Sequence, residues 1–162
     1  MSEHHESGYR LSSSAYGKWI AETCDWSHYG TFTFRPYTPP PDPGLGPPKH
    51  SLTDAGPSEE AAFKAWDRYV RSVSGSAHRR IGWLAALEAG PLYGRLHIHA
   101  LLCDADCVSP ERAGRLWIAG WSKVERYDTH RGAAHYVAKF AGEEIGYWDV
   151  GGTVVDRARR VR

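Results

Sequence analysis

Arg95-Leu96-His97-Ile98-His99-Ala100-Leu101-Leu102 sets two imidazoles two residues apart inside an apolar run. Successive side chains of a strand point to opposite faces, so His97 and His99 share one face while Leu96, Ile98 and Ala100 take the other. Imidazoles fill a core poorly, but a pair on one face is the beginning of a divalent-metal site. Histidines at this spacing also occur on ordinary strand surfaces, so the pair needs a third ligand before it carries meaning.

A candidate stands just upstream. Ile81-Gly82-Trp83-Leu84-Ala85-Ala86-Leu87-Glu88 reads as a second apolar strand, and Ala89-Gly90-Pro91-Leu92-Tyr93-Gly94 as turn chemistry. In a hairpin closed by the four residues Pro91 to Gly94, Gly90 lies opposite Arg95, Ala89 opposite Leu96 and Glu88 opposite His97. Directly opposed residues share a face, with Cβ atoms about 5 Å apart. Ala86 then opposes His99 and leaves room beside it. Glu88, His97 and His99 are therefore the expected metal ligands, with coordination positions left open. A slip of one residue would send Glu88 to the other face, where it would only mark a solvated strand end. Mixed nitrogen and oxygen ligands suit Mn²⁺ and Mg²⁺, and ligand type alone also admits Zn²⁺.

Asp128 to Gly142 reads as a short helix, capped by Asp128 or Thr129 and ended by Gly142. Ala133, Val137 and Phe140 supply its buried stripe, and Tyr136 and Lys139 share the flank beside it. Such a pair commonly forms a half-buried amphipathic edge. Its chemical reading is a phenol nucleophile with a cation at hand to neutralise a phosphate.

In order along the chain, these features resemble the HUH endonuclease superfamily, and within it the rolling-circle replication initiators. Thr31-Phe32-Thr33-Phe34 is similar to that family's first motif, an apolar and threonine-rich strand. His97-Ile98-His99 matches its histidine-hydrophobic-histidine motif, with Glu88 as the acidic ligand from the neighbouring strand. Tyr136-Val137-Ala138-Lys139 matches its Tyr-x-x-Lys helix. Members with two nucleophiles carry a second tyrosine one turn later, where this chain has Phe140, so the resemblance is to single-tyrosine enzymes. Tyr127 and Tyr147 sit in no matching motif and read as strand residues.

The resemblance implies metal-dependent nicking and joining of single-stranded DNA, or of a DNA hairpin at an origin, as in rolling-circle replication of a plasmid, phage or virus. Tyr136 would attack phosphorus, hold the 5′ phosphate covalently and release a 3′ hydroxyl. Lys139 would assist, and Mg²⁺ or Mn²⁺ on Glu88, His97 and His99 would polarise the phosphate. A single-tyrosine transposase has a similar motif order. A relaxase would need its tyrosine near the N-terminus, at Tyr9 or Tyr16. A non-enzymatic module binding single-stranded nucleic acid is the alternative from another class.

Bulk properties bound these readings. A chain of 162 residues is expected to form one domain, with seven tryptophans, nine tyrosines and four phenylalanines for its core. Trp66, Trp83 and Trp117 fall in apolar patterns and read as core. The net charge of +1 gives no global signature of a nucleic-acid binder. Positive charge is local instead: Arg79, Arg80 and Arg95 are the candidate DNA-binding residues, and 156–162 is a basic tail. Three cysteines, Cys24, Cys103 and Cys107, match no strong zinc template and read as buried or neutral thiols. No run approaches the ~20 apolar residues of a membrane span, and the polar start resembles no secretory signal, so a soluble protein of the host cytoplasm is expected. Without a phosphate-binding Gly-x-x-x-x-Gly-Lys motif, a helicase and a polymerase would be separate partners.

Further elements frame the site. Leu11 to Cys24 suggests a helix, Trp26 to Arg35 a strand, and 37–57 a long proline-rich loop. Pro57-Ser58-Glu59-Glu60 opens a helix with Phe63, Trp66, Val70 and Val73 as its stripe. Ser109-Pro110-Glu111 starts another that runs through Leu116, Trp117 and Ile118 to Gly120. Trp121 to Tyr127 reads as a strand, and Trp148 to Val155 as a closing hairpin turned by Gly151-Gly152. The sum is an α+β fold, a central antiparallel sheet with helices mainly on one face. The resemblance implies the same, in ferredoxin-like or RNA-recognition-motif-like form.

Overall fold

A computed structural model describes residues 13–35, 56–89, 96–132, 134, 135, 137 and 147–160. Five strands, β1 (Trp26–Thr33), β2 (Gly82–Ala89), β3 (Leu96–Cys103), β4 (Ser122–Arg126) and β5 (Tyr147–Gly152), form one sheet in the order β4-β1-β3-β2-β5. All four pairings are antiparallel. The helices are α1 (Ser13–Thr23), α2 (Glu59–Ala77), α3 (Pro110–Arg115) and α4 (Thr153–Arg160). The architecture is the expected α+β one, compatible with a ferredoxin-like sheet.

The 19-residue α2 starts where its capping chemistry dictates. The Ser58 hydroxyl accepts from the Ala61 amide, Glu59 and Glu60 complement the helix dipole, and His78 closes the far end with a left-handed backbone. Its buried stripe is Ala62, Ala65, Trp66, Tyr69, Val73 and Ala77, with Phe63 and Val70 only partly covered. Trp66 and Val73 of the expected stripe lie in the buried cluster, Tyr69 joins them, and Phe63 and Val70 pack at its edge. The stripe packs with α3 on the face formed by Phe32, Ala85, Leu87, Ile98, Ala100 and Leu102. Phe32 is the hub of that layer, with ring centroids 5.3 Å from Trp66, 4.7 Å from Tyr69 and 5.3 Å from Trp117. Trp66, Trp83 and Trp117 are all buried, as the apolar pattern implies.

The opposite face is divided along the strands. One end is apolar: Leu84, Ala86, Leu101 and Cys103 meet Ile20 of α1, Val154 of α4, and Ala134 and Val137. The other end carries Glu88, His97 and His99. Gly17 of α1 lies so close to His135 that a Cβ there would fall 2.3 Å from the imidazole Nδ1, which ties α1 to the segment around residue 135.

Four expectations are corrected. The helix expected from Asp128 is interrupted: Asp128 caps a single 3₁₀ turn, Thr129–Arg131, which ends at Gly132 with a positive φ of 68°, and helical residues resume at Ala134. The helix α3 stops at Arg115, because Trp117 leaves it to give its indole N–H to the Thr33 carbonyl at 2.8 Å, and Ile118 is exposed. Gly151-Gly152 makes no hairpin. Gly152 has a φ of 63° and lies against the Ile81 carbonyl, and that turn sends β5 directly into α4. Most of the supposed basic tail is therefore helical, and Arg157 holds the Asp104 carboxylate at 2.8 Å. Cys24 and Cys103 are buried, whereas Cys107 is exposed. The 37–57 loop lies outside the described residues except for Gly56 and Pro57. Among the described residues, no helix is long and apolar enough to cross a membrane.

Two buried polar groups yield stability predictions. The Tyr69 hydroxyl has no hydrogen-bond partner among the described residues, and burial pushes its pKa well above that of an ordinary phenol. An unpaired buried hydroxyl costs stability, so Tyr69→Phe should be as stable as wild type or more so by up to about 1 kcal/mol in urea denaturation. A comparable loss would reveal a partner. His28 is fully buried, with Nε2 3.0 Å from the Val108 carbonyl and Nδ1 2.9 Å from the Ser27 hydroxyl. Burial, with Arg126 adding to it, holds its pKa below the ordinary 6.5. The unfolded chain then takes up a proton as pH falls through about 6.5 while the folded chain resists, so this stability is full above 6.5 and lost below. Denaturation midpoints from pH 7.5 to 5.5 should fall less steeply in His28→Gln, which keeps a donor but does not titrate. An identical slope in the variant would contradict this.

Candidate metal centre

The hairpin register decides the site. β2 and β3 pair Glu88 with His97, Ala86 with His99 and Ala89 with Leu96, the register expected from the sequence. Glu88 therefore stands on the imidazole face and not on the solvated alternative. One carboxylate oxygen, Glu88 Oε2, lies 2.9 Å from His97 Nε2 and 3.1 Å from His99 Nε2. The ligand atoms of all three residues fall within 4.8 Å of one another. His99 is buried, and His97 and Glu88 are half-buried, so the cluster is walled by the sheet and approachable from above. Among the described residues it is the one group of His, Cys, Asp and Glu side chains arranged to hold a metal ion.

The third strand contributes what sequence reading missed. β1 pairs Thr31 with His99 and Tyr29 with Leu101, which puts both side chains on the same face. The Tyr29 hydroxyl lies 3.1 Å and the Thr31 hydroxyl 3.2 Å from His99 Nδ1. The tyrosine ring is nearly parallel to the imidazole, at 7°. A metal-binding imidazole needs one nitrogen free of its proton and the other hydrogen bonded to fix its orientation. Hydroxyls donate or accept, so these two support either tautomer of His99: Nε2–H toward Glu88, or a bare Nε2 toward a cation. Burial first, and the neighbouring His97 second, push the His99 pKa down, against an opposing pull from Glu88. His99 is thus neutral at pH 7, the form that ligates. Thr31 belongs to the threonine-rich strand singled out in the sequence, whereas Tyr29 carried no signal beyond its alternation with Thr31.

The remaining predicted site residues divide two ways. Tyr136, Lys139 and Arg95 lie outside the described residues. Ala134 and Val137, which bracket position 136 in the chain, are buried in the cluster that contains Ala86 and Leu101, the direct neighbours of His99 on that face. Arg79 and Arg80 sit before the start of β2, and Glu88 is near its end, six residues and about 20 Å of strand beyond Gly82. Both are exposed and both face acids, Arg79 with Asp106 at 3.6 Å and Arg80 with Asp156 at 2.7 Å. The structure does not bring them to the metal cluster. Tyr147 lies in β5, and Tyr127 comes directly after β4, its amide bonded to the Ser27 carbonyl.

Comparison with known protein families, curated proteins and solved structures finds no significant match.

Calorimetric titration tests the centre. Wild type should bind one Mn²⁺, and His97→Ala or Glu88→Ala should lose measurable binding. Tyr29→Phe combined with Thr31→Val should weaken binding by about 10- to 100-fold, the usual cost of losing the partners that orient a ligand. Unchanged affinity in the double variant would remove these hydroxyls from the site.

Proposed function

We propose that this chain is a single-tyrosine HUH-type endonuclease that nicks and rejoins single-stranded DNA, in the manner of a rolling-circle replication initiator. One observation carries the reading: Glu88, His97 and His99 converge on the open end of a sheet face whose adjoining cluster holds Ala134 and Val137, two residues before and one residue after Tyr136 in the chain. The residues fit a divalent cation, since two Nε2 atoms and a carboxylate oxygen already meet around one point. A cation bound there would act as Lewis acid on a non-bridging phosphate oxygen, and the ligand types favour Mn²⁺ or Mg²⁺.

The protein's own groups do the rest. Glu88, His97 and His99 would hold the cation and thereby fix where a phosphate lies. The Tyr136 phenol loses its proton, and its oxygen attacks phosphorus in line with the 3′ oxygen. The phosphorus–O3′ bond breaks, and the 3′ oxygen leaves and takes up a proton as a hydroxyl. The tyrosine keeps the 5′ phosphate as an ester. A free phenol ionises near pH ~10, so Lys139 assists by favouring the phenolate and the charge on the phosphate. Ester exchange conserves one phosphodiester, so the reverse attack by a 3′ hydroxyl rejoins the strand. The released 3′ end suits a polymerase, and unwinding falls to a separate helicase.

The test is a pool of single-stranded oligonucleotides incubated with the protein and Mn²⁺, then run on a denaturing gel. Wild type should give a covalent protein–DNA species that is absent with EDTA, in Tyr136→Phe and in His97→Ala, and reduced in Lys139→Ala. An adduct that persists in Tyr136→Phe would overturn the nucleophile. Binding of single strands without any cleavage would make the chain a nucleic-acid-binding module instead.

A further inference from the structure

The metal-bearing face holds an aromatic side chain that the nicking chemistry leaves unused. Ala86 pairs with His99 on one side and with Trp148 on the other. Trp148 and His99 therefore rise from the same face, two interstrand spacings or about 10 Å apart. The residue between them adds only a methyl group. Trp148 is 37% exposed, whereas Trp66, Trp83 and Trp117 are 0%, 7% and 5% exposed. Its neighbour Tyr147 is 58% exposed but pairs with Leu87, and so belongs to the opposite face.

We infer that Trp148 is a stacking platform for one base of the strand being cut, and that it sets which phosphate is presented to a cation that Glu88, His97 and His99 would hold. This role rests on the single-strand nuclease reading and adds a positioning residue to it. Electrostatics alone gives this chain little hold on DNA. Its net charge is +1, and Arg79 and Arg80 are engaged with Asp106 and Asp156. A phosphate held at such a cation fixes one point of a flexible strand, which can still slide and rotate about it. A second point of attachment is needed to select a register. An unpaired base offers a flat π face whatever its identity, and an indole is the largest side chain able to cover one. Trp148 stands on the correct face, at the distance of a nearby nucleotide, beside an Ala86 that is itself fully buried.

A cycle of protein and DNA changes tests this directly. Binding is measured by anisotropy in a Tyr136→Phe background with Mn²⁺, using a single-stranded oligonucleotide that the wild type cuts. A single abasic site is then moved along that oligonucleotide. With Trp148 present, one abasic position near the cut should weaken binding by about 5- to 150-fold, the usual range for one base stacked on an aromatic ring. In Trp148→Leu, which keeps apolar bulk but has no ring, the same abasic site should cost under about twofold. Trp148→Phe should restore most of the penalty, and Tyr147→Ala should leave it intact. Mn²⁺ affinity should be unchanged in every variant, which separates stacking from damage to the ligands. If Trp148→Leu keeps both the affinity and the abasic penalty of its parent, the platform is wrong while the nuclease stands. If the wild type neither binds nor cuts any single strand, the nuclease reading falls and the platform falls with it.

Discussion

The pairing of Glu88 with His97 across β2 and β3 is the contact on which the candidate chemistry depends. Side chains on a strand alternate, so register has no intermediate settings. One residue of slip would leave the two imidazoles on their face and carry the carboxylate through the sheet to the other. The pairing is held by more than the loop. Trp83, Ala85 and Leu87 on the reverse side of β2 are buried in one layer with Trp66, Tyr69 and Phe32, and a slip would carry them out of that layer and press Glu88 into it. The aromatic core thus enforces the geometry of a polar site that it never touches.

This division of labour runs through the molecule. One face of the sheet is covered by α2 and α3, and its packing supplies stability. The other is apolar near Leu84, Leu101 and Cys103, where α1 and α4 rest, and polar toward Glu88 and His97. His99 lies at the boundary between the two. It is buried, held by two hydroxyls from β1, and faces a carboxylate from β2. Three strands therefore converge on one imidazole, the kind of support that keeps a ligand in place without the metal.

Legibility in the sequence tracks the range of the interactions concerned. Glu88, His97 and His99 were legible because the hairpin is local, and turn residues with strand alternation determine its register. The α+β class, the helix opening at Pro57-Ser58-Glu59-Glu60 and the buried tryptophans were legible for similar reasons. Tyr29 and Thr31 as partners of His99 were not, since 70 and 68 residues separate them from it and only the β1–β3 register joins them. Gly151-Gly152 was misread because a glycine pair between apolar runs signals a turn without specifying whether a strand or a helix comes next. Here Gly152 enters a helix, and α4 is anchored by Thr153 and Arg157 on Asp104. Leu116 to Ile118 continued a helical pattern, but Trp117 left it for a carbonyl on β1.

Anomalous diffraction from a crystal grown with Mn²⁺ bears most directly on the central claim. The expected result is a single peak about 2.0–2.4 Å from His97 Nε2, His99 Nε2 and a Glu88 carboxylate oxygen, with the Tyr29 and Thr31 hydroxyls still on His99 Nδ1. A saturated crystal with no peak there, and with Glu88 still hydrogen bonded directly to both imidazoles, would contradict it.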